Sequence, residues 1–391
     1  MVYQGKSGGN PDGLPSILTQ IKRKLTFQNH GSDLYYHPNH NIRTKEEDTL
    51  SYIMMLLGWV LKICSVLTGN YGIALILFTV LIKVLLMPLT VKQQRSMLKT
   101  QKIQPLMMEI QQKYANDKEK LNQETMKLYQ KYKINPMSGC LPMLIQLPIL
   151  MMLYWVVRKP VVYIMGFGAD DVWRIVSAVV EWAEGDPTRM QTFMSALGID
   201  SLNQLTDNAY KMFGMYEIQI ARFLHMNPEI MANHWITETG KNLTIINFDF
   251  LGLDLSQTPN LSAFLKLFIG RIDGITAQTA GLWIIPALSG VSAYASSKLS
   301  QAMQPQQQPQ VDKDGNEVSN PMKGMMVMMP LMSAWFAFTL PAAIGLYWIV
   351  SNVLAIAQTL VLNKIINPGI TDEQIEGEVI NAKKNRKKRK K

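Results

Sequence analysis

The sequence contains few of the residues on which enzyme sites and metal sites are usually built. Its 391 residues include two cysteines and five histidines, and neither set has the spacing of a metal site or of a disulfide framework. The motifs of nucleotide-binding loops, zinc proteases and serine hydrolases are also missing. The sequence therefore predicts a protein that is not an enzyme and that needs no cofactor and no metal.

Acidic residues are also missing from the apolar stretches of the chain. Five stretches are each close to the roughly 20 residues that a membrane-spanning helix needs, and none of them contains aspartate or glutamate. The predicted spans are residues 71–88, 138–157, 278–297, 325–343 and 345–366. The sequence thus predicts an all-α integral membrane protein with five transmembrane helices.

The chain before the first span has two parts. Residues 1–50 form a polar N-terminal segment without the apolar core or the cleavage site of a signal peptide. We therefore expect either that this segment is translocated uncleaved or that the chain starts at a non-native position. Residues 51–70 are apolar apart from a few positions such as Lys62. They are predicted as an amphipathic helix in the membrane interface, with a sixth span as the alternative.

The charges of the connecting segments predict the orientation of the spans. Residues 89–137 carry ten Lys or Arg against four Asp or Glu, and eight of the last nine residues are basic. Cytoplasmic loops carry an excess of Lys and Arg, so both segments are predicted to be cytoplasmic. The N-terminus and residues 158–277, which contain an insertion, are then external. A flexible Gln- and Pro-rich loop, 298–324, and the basic tail, 367–391, are then cytoplasmic.

Residues 89–137 are predicted to form a helical hairpin. Two runs repeat mostly apolar or aromatic residues at i, i+4, i+7 and i+11, and the turn "ANDKE" between them contains Asp117, which can cap the second helix. The runs are Ile103, Met107, Ile110 and Tyr114, then Leu121, Thr125, Leu128 and Tyr132. The hairpin is interpreted as a docking arm at the membrane face or as a solvated connector. The basic tail is interpreted as a solvated tail or as a binding segment for RNA, the ribosome or anionic lipid.

One lysine, Lys83, lies inside the first span. A charge within a span is costly and rare unless it has a function. Lys83 either extends to the headgroups or faces a hydrated cavity within the bundle. Further polar residues occupy the spans: Thr79, Gln146, Ser289, Ser292, Ser296, Ser351, Asn352 and Gln358. Each alone could join two helices. Together, with a lysine and no acidic partner, they indicate a hydrated groove of positive potential.

Three stretches of the sequence resemble a known family. "YGIALILFTVLIKVLLMPLTVKQQRSM", "INPMSGCLPMLIQLPILMMLYWV" and "LPAAIGLYWIVSNVLAIAQTLVL" resemble the signature stretches of the YidC/Oxa/Alb membrane protein insertases. "FDFLGLDLSQTPN" is similar to the linker before the third span in Gram-positive-type members. The resemblance covers roughly residues 51–157 and 246–366 and includes the order of the spans, the hairpin and the basic tail.

The resemblance implies a bacterial plasma-membrane insertase and chaperone for client transmembrane helices, alone or with the Sec translocon. In this family five spans surround a hydrophilic groove that receives the polar tail of a client. Lys83 matches the groove cation, which is most often arginine in the family, and Thr79 and Gln146 match polar groove positions. Positions along the client path are matched by Leu147, Leu150, Phe336, Tyr347 and Trp348. Ser292 and Asn352 complete the predicted groove set.

The expected partners are nascent membrane-protein clients, the lipid bilayer and the ribosome. The ribosome would be contacted through the tail residues 383–391 and the hairpin residues 92–133, and the Sec translocon and the signal-recognition-particle pathway are further expected partners. Two alternatives from other classes stay open. One is a small-solute or ion transporter that uses Lys83 as an anion site. The other is a membrane-anchored assembly factor whose external insertion does the binding.

Overall fold

The protein is mostly helical. The computed structural model describes residues 45–115, 117–132, 141–167, 172–184, 186–200, 209–240, 243–270, 275–302 and 321–366. Residues 1–44, most of the predicted loop 298–324 and the predicted tail 367–391 lie outside the described residues.

Fifteen α-helices lie in the described part of the chain. In order they are α1 (Lys45–Thr68), α2 (Tyr71–Leu85), α3 (Met87–Lys102), α4 (Gln104–Lys113), α5 (Lys118–Tyr132), α6 (Leu141–Arg158), α7 (Val172–Trp182), α8 (Pro187–Leu197), α9 (Ala209–Met226), α10 (His234–Thr237), α11 (Leu261–Phe268), α12 (Ala277–Leu282), α13 (Ile284–Ala302), α14 (Pro321–Thr339) and α15 (Ala342–Ile366). A π-helical turn, Val161–Met165, follows α6, and a 3-10 helix, Pro228–Ala232, follows α9. Two short strands, β1 (Asp249–Phe250) and β2 (Leu253–Asp254), pair antiparallel.

The chain divides into two compact units. The first comprises Met1–Gly69 and Met152–Asn247, and the second comprises Asn70–Met151 and Phe248–Lys391. In the first unit α1 packs on the π-helical turn. A Cβ on Gly58 of α1 would lie 2.8 Å from the Cβ of Tyr163, so the absence of a side chain at residue 58 permits this close contact.

A buried carboxylate contacts the start of the π-helical turn. Glu217 of α9 is 3% exposed, and it accepts a hydrogen bond of 3.2 Å from the backbone N–H of Val162. Burial raises the pKa of Glu217 to about 7, although the N–H groups of Val161 and Val162 and the charge of Lys159 favour the ionised form. The first turn of a helix has unpaired N–H groups, and here Glu217 from another helix accepts from the one at Val162.

The second unit is a helical bundle in which α15 contacts four other helices. α13 packs against α14 and α15, while α15 also packs against α2 and α3. Close packing depends on glycine at two positions. A Cβ on Gly345 of α15 would collide with Cγ2 of Ile285, and one on Gly290 would lie 3.2 Å from the Cβ of Ala334. Small residues at helix interfaces allow such backbone approach in membrane bundles.

The β-hairpin and the loop after it hold the first turns of α2 and α15. Asn70 accepts from the N–H groups of Gly72 and Ile73, and its Nδ2 donates to the carbonyl of Asp249 over 2.6 Å. The first two N–H groups of α15, at Ala342 and Ala343, donate to backbone carbonyls of this loop. Those acceptors are Gln257, over 2.8 Å, and Leu255, over 3.0 Å. This short segment therefore supplies hydrogen-bond partners at two helix N-termini.

The described residues of the predicted spans lie mostly on helices, but the helices begin and end at other residues than predicted. Within the described residues, α15 alone is long and apolar enough to cross a membrane by itself. Helices α2 and α3 are long and apolar enough to cross a membrane only if they are counted together as one span. Their axes are bent by 59° at the break between them. The apolar parts of α1 and α6, Tyr52–Thr68 and Pro148–Arg158, are shorter.

Prolines account for two of these differences. Pro88 lacks the N–H that would continue a helix through residue 88, so the predicted span 71–88 ends at Leu85 and α3 begins at Met87. The predicted fourth span, 325–343, ends earlier, at Thr339, because the residue before Pro341 is disfavoured in the helical conformation. Ala342 and Ala343 belong to α15, which begins before the predicted residue 345. Predicted residues 138–140 of the second span lie outside the described residues.

Helices α4 and α5 pack against each other through the residues whose spacing predicted them. Ile103 and Leu128 are buried together, with Met107, Ile110 and Tyr132 around them. Asp117 precedes α5 and accepts from the N–H of Lys120 over 3.0 Å, so it caps this helix.

A methyl group added at Gly345 is expected to destabilise the second unit. Gly345→Ala should lower the free energy of unfolding by about 1–3 kcal/mol because the new Cβ collides with Ile285, which must move. The measurement is the thermal unfolding midpoint of the purified protein in detergent. Gly290→Ala is the matched control with a looser contact to Ala334, and its midpoint should fall less. Equal midpoints for both variants would contradict the close approach.

The stability of the first unit is expected to depend on pH through Glu217. The pKa of Glu217 in the folded protein, about 7, lies above its ordinary value of 4.5. Between these two values the folded chain retains a proton that the unfolded chain has released, so stability falls as the pH rises through this range and then stays constant. Glu217→Gln removes the buried charge and should stabilise the unit by about 3 kcal/mol at pH values above 7.

Hydrogen exchange at the amides of Val161–Met165 measures this effect. Wild type and Glu217→Gln are compared at each pH, so that the intrinsic pH dependence of exchange cancels. Glu184→Gln serves as the control because Glu184 is exposed in the same unit. An unchanged difference between wild type and Glu217→Gln from pH 5 to pH 8 would show that Glu217 does not titrate in this range.

Candidate functional site

Lys83 lies in the last turn of α2, directly before the bend into α3. Its side chain is partly buried, and among the described residues its ammonium group forms no ion pair. A partly buried cation without an acidic neighbour creates a positive potential in its surroundings, because the low dielectric there screens it weakly. Lys83 is thus available to attract an anionic group.

Gln358 of α15 donates a hydrogen bond to the backbone of Lys83. Its Nε2 donates to the carbonyl oxygen of Lys83 over 3.4 Å and lies 3.8 Å from Sδ of Met87. The end of α2 leaves its last carbonyls without partners inside the helix. Gln358 therefore supplies a partner to a carbonyl that the bend exposes, and it links the position of Lys83 to α15.

A second group of polar side chains joins α13, α14 and α15. Nδ2 of Asn352 donates to Oγ of Ser292 over 3.2 Å, and Ser292 donates to the carbonyl of Ser289 over 3.1 Å. The hydroxyls of Ser289 and Ser333 lie 3.2 Å apart. These contacts connect three helices, the usual role of serine and asparagine inside membrane bundles.

The two polar groups face different neighbours of α15. Asn352 contacts α13, whereas Gln358 contacts the end of α2. Six residues of an α-helix place two side chains about 120° apart around the axis and about 9 Å apart along it. Within the described part of the chain, no hydrogen bond joins the lysine group to the serine and asparagine group.

Thr79 is buried on α2, one turn before Lys83. Its hydroxyl donates to the carbonyl of Leu75 over 2.6 Å, so the donor is used inside its own helix. The side chains of Gln146 and Leu147, predicted for the groove and for the client path, lie outside the described residues. The structure thus gives the geometry of Lys83, Thr79, Ser292 and Asn352 from the predicted groove set.

The residues predicted along the client path differ in exposure. Phe336 of α14 is exposed and Trp348 of α15 is partly exposed, and their ring centroids lie 6.2 Å apart. Leu150 of α6 is partly buried. Tyr347 is buried, at 2% exposure, so it reaches a client only if its neighbours move.

Two contributions were missed by reasoning from sequence. Ser333, which contacts Ser289, lies in the middle of an apolar run of α14, and this polar residue among apolar ones was a usable signal. The contact between Gln358 and the carbonyl of Lys83 spans 275 residues of sequence, and no local pattern indicates it. In the described ranges there is no group of three or more His, Cys, Asp and Glu that could hold a metal ion.

Comparisons with known proteins agree on one family. Residues 63–369 match the family described as 60Kd inner membrane protein. The chain is similar to the membrane protein insertase YidC of Syntrophobacter fumaroxidans, with 30% identity over 312 residues, which are 80% of this chain and 37% of the relative. It is also similar to the membrane protein insertase YidC of Fusobacterium nucleatum, with 48% identity over 117 residues, which are 29% of this chain and 57% of the relative.

A third relative is the membrane protein insertase YidC of Francisella tularensis, with 43% identity over 119 residues, which are 30% of this chain and 22% of the relative. The chain thus covers less than two thirds of the length of each of these relatives. Because the family match extends over most of the helices described above, the chain is a bacterial membrane protein that belongs to the 60Kd inner membrane protein family, the family of the YidC insertases.

Proposed function

We propose that this protein is a membrane protein insertase and chaperone, which inserts client transmembrane helices through a positively charged hydrophilic groove. The observation that carries the proposal is Lys83, a partly buried cation at a helix bend with no ion-pair partner among the described residues. Family membership supports the activity, since the relatives are named membrane protein insertases. The proposal involves no covalent chemistry.

In the proposed arrangement five spans surround the groove. They are α2, α6, α12 with α13, α14 and α15, with α1 in the interface, α4 and α5 in the cytoplasm and residues 158–277 outside. Helix α15, with 25 residues, extends about 37 Å and exceeds the hydrocarbon thickness of about 30 Å. Helix α2, with 15 residues, extends only about 22 Å, so a helix that begins at one face of the membrane ends near Lys83 inside the hydrocarbon region.

The proposed mechanism uses the charge of Lys83 and then the hydrophobic effect. The acidic or polar tail of a client enters the groove because Lys83 attracts it and because water in the groove lowers the cost of removing the tail from bulk solvent. The apolar helix of the client then moves into lipid, which is favourable for each apolar group removed from water. The exposed ring of Phe336 and the partly exposed ring of Trp348 offer an apolar surface for this step.

The ribosome, the Sec translocon and the signal-recognition-particle pathway are proposed partners. The basic tail, 383–391, and the basic residues of the hairpin, 92–133, carry the charge that ribosomal RNA attracts. The N-terminus is proposed to lie outside and the C-terminus in the cytoplasm, because both basic segments then face the cytoplasm.

Removing the charge of Lys83 is expected to impair insertion. The purified protein in liposomes without Sec components should protect a single-span client with an acidic N-terminal tail from external protease. Lys83→Ala should lower the protected fraction or its rate about tenfold, equivalent to about 1.4 kcal/mol, whereas Lys83→Arg should retain it. Lys92→Ala is the matched control, because Lys92 is exposed and lies nine residues further along the chain.

Two other outcomes of the protease-protection assay would change the role assigned to Lys83 or to the protein. Equal protection by wild type, Lys83→Ala and Lys83→Arg would support the insertase activity but would show that the charge of Lys83 is not needed for it. Lys83 would then be a residue whose side chain extends to the headgroups. No protection by any variant, beside a working insertase as positive control, would refute insertion without Sec and favour the transporter with an anion site.

Neutralising the basic tail is expected to weaken ribosome binding. Replacing the eight basic residues of 383–391 with Gln keeps the length of the tail and removes its charge. Flotation of ribosomes with proteoliposomes should then fall about tenfold at low salt, and the remaining binding should depend less on salt concentration. Vesicles of neutral lipid distinguish RNA binding from binding to anionic lipid, because a tail that binds only lipid would leave flotation unchanged there.

A further inference from the structure

The turn of the β-hairpin contains an exposed leucine in a strained conformation. Leu251 has φ 52°, and Gly252, the second turn residue, has φ 78°. Leu251 is the only non-glycine residue with positive φ in the described part of the chain, and its side chain is 86% exposed. Two-residue turns with positive φ at both positions strongly favour Asn-Gly or Asp-Gly. Leucine therefore occupies a position that neither backbone preference nor packing inside the protein explains.

The turn lies at the end of the second unit where α2 and α15 begin. Phe250, which precedes Leu251, is packed so closely on Gly72 of α2 that no Cβ fits there. On the other side of the turn, a Cβ on Gly281 of α12 would lie 2.9 Å from Leu253. The loop after β2 accepts the first N–H groups of α15. Leu251 is thus fixed close to the N-terminal ends of α2 and α15.

Helix α11 adds apolar side chains at this end. Its Phe264 packs edge-on against Trp283, at 5.3 Å between ring centroids, and Trp283 follows the segment that contacts Leu253. Leu265 and Ile269, which follows the last residue of the helix, are spaced i, i+4 and are exposed by 55% and 70%. Lys266 lies between them and is exposed. Apolar side chains beside a basic one match the boundary between acyl chains and phosphate headgroups.

We propose that Leu251, Leu265 and Ile269 form a lipid anchor that inserts into the headgroup–acyl boundary of the membrane face at which α2 and α15 begin. A residue held in an unfavourable conformation while exposed points to a function outside the fold. In a membrane protein, lipid is the apolar phase available at the end of a span. The anchor goes beyond the proposed insertion activity and does not depend on it, because it concerns only the depth at which this end of the bundle lies in the bilayer.

The depth of residue 251 in the bilayer tests the anchor. Leu251→Cys is prepared in the full chain with Cys64→Ala and Cys140→Ala, labelled with bimane and reconstituted into liposomes. Quenching is measured with iodide in water and with doxyl lipids whose spin label lies near the glycerol backbone or near the end of the acyl chain. Val353→Cys, exposed in the middle of α15, and Gln123→Cys, exposed on α5, provide the lipid and the water reference.

The label at residue 251 should be quenched most by the shallow doxyl lipid and about threefold less by iodide than the label at residue 123. The label at residue 353 should respond most to the deep doxyl lipid. Iodide quenching at residue 251 equal to that at residue 123 would overturn the anchor. So would a label shielded from both iodide and lipid, since this would mean that a protein surface covers Leu251.

Two substitutions separate the role of the side chain from that of the backbone. Leu251→Asn suits a positive φ and removes the apolar group, whereas Leu251→Met keeps the apolar group and the strain. With a bimane label at Leu265→Cys, Leu251→Asn should raise iodide quenching about twofold and Leu251→Met should not. The thermal unfolding midpoint of Leu251→Asn should not fall. Equal iodide quenching in both variants would refute the contribution of Leu251.

Discussion

The hydrogen bonds that the segment around the β-hairpin provides to two helix N-termini are the constraint on which the second unit depends. Buried backbone N–H groups are costly if they lack hydrogen-bond partners. Ala342 and Ala343 obtain partners from the carbonyls of Gln257 and Leu255, and Asn70 joins the first turn of α2 to Asp249. The acceptor loop is itself held by the buried Asp254, which accepts from the N–H of Ser256 and from Nε2 of Gln257.

From this fixed end, α15 distributes its polar residues between two interfaces. Asn352 faces the serines of α13, and Gln358 faces the bend after α2. The first contact stabilises the packing of three helices. The second supports the backbone at Lys83, whose ammonium has no ion-pair partner in the described part of the chain. A structural polar cluster and a free cation therefore coexist in one bundle, and the proposed activity uses the cation.

Much of the helical architecture was predictable because it depends on local patterns. Apolar runs located the helices from α12 to α15, and the i, i+4, i+7 spacing located the buried pair Ile103 and Leu128. The bend at Leu86 has a local cause in Pro88. The pairing of Ser289 with Ser333 was not predictable, because it depends on how separate helices pack. The strain at Leu251 is equally invisible in sequence, where "LGLD" fits several turn types.

The attachment of α15 at both ends has a mechanical consequence. Its first residues are hydrogen-bonded to the loop after β2, and its last turns are buried through Leu362 and Ile366 against Leu98 of α3. A helix anchored in this way cannot slide along its axis without breaking contacts at both ends. Helix α15 therefore keeps its position along its own axis within the second unit. Helix α14 differs, because its internal Pro330 lacks the N–H of one helical hydrogen bond and so permits a kink at that point.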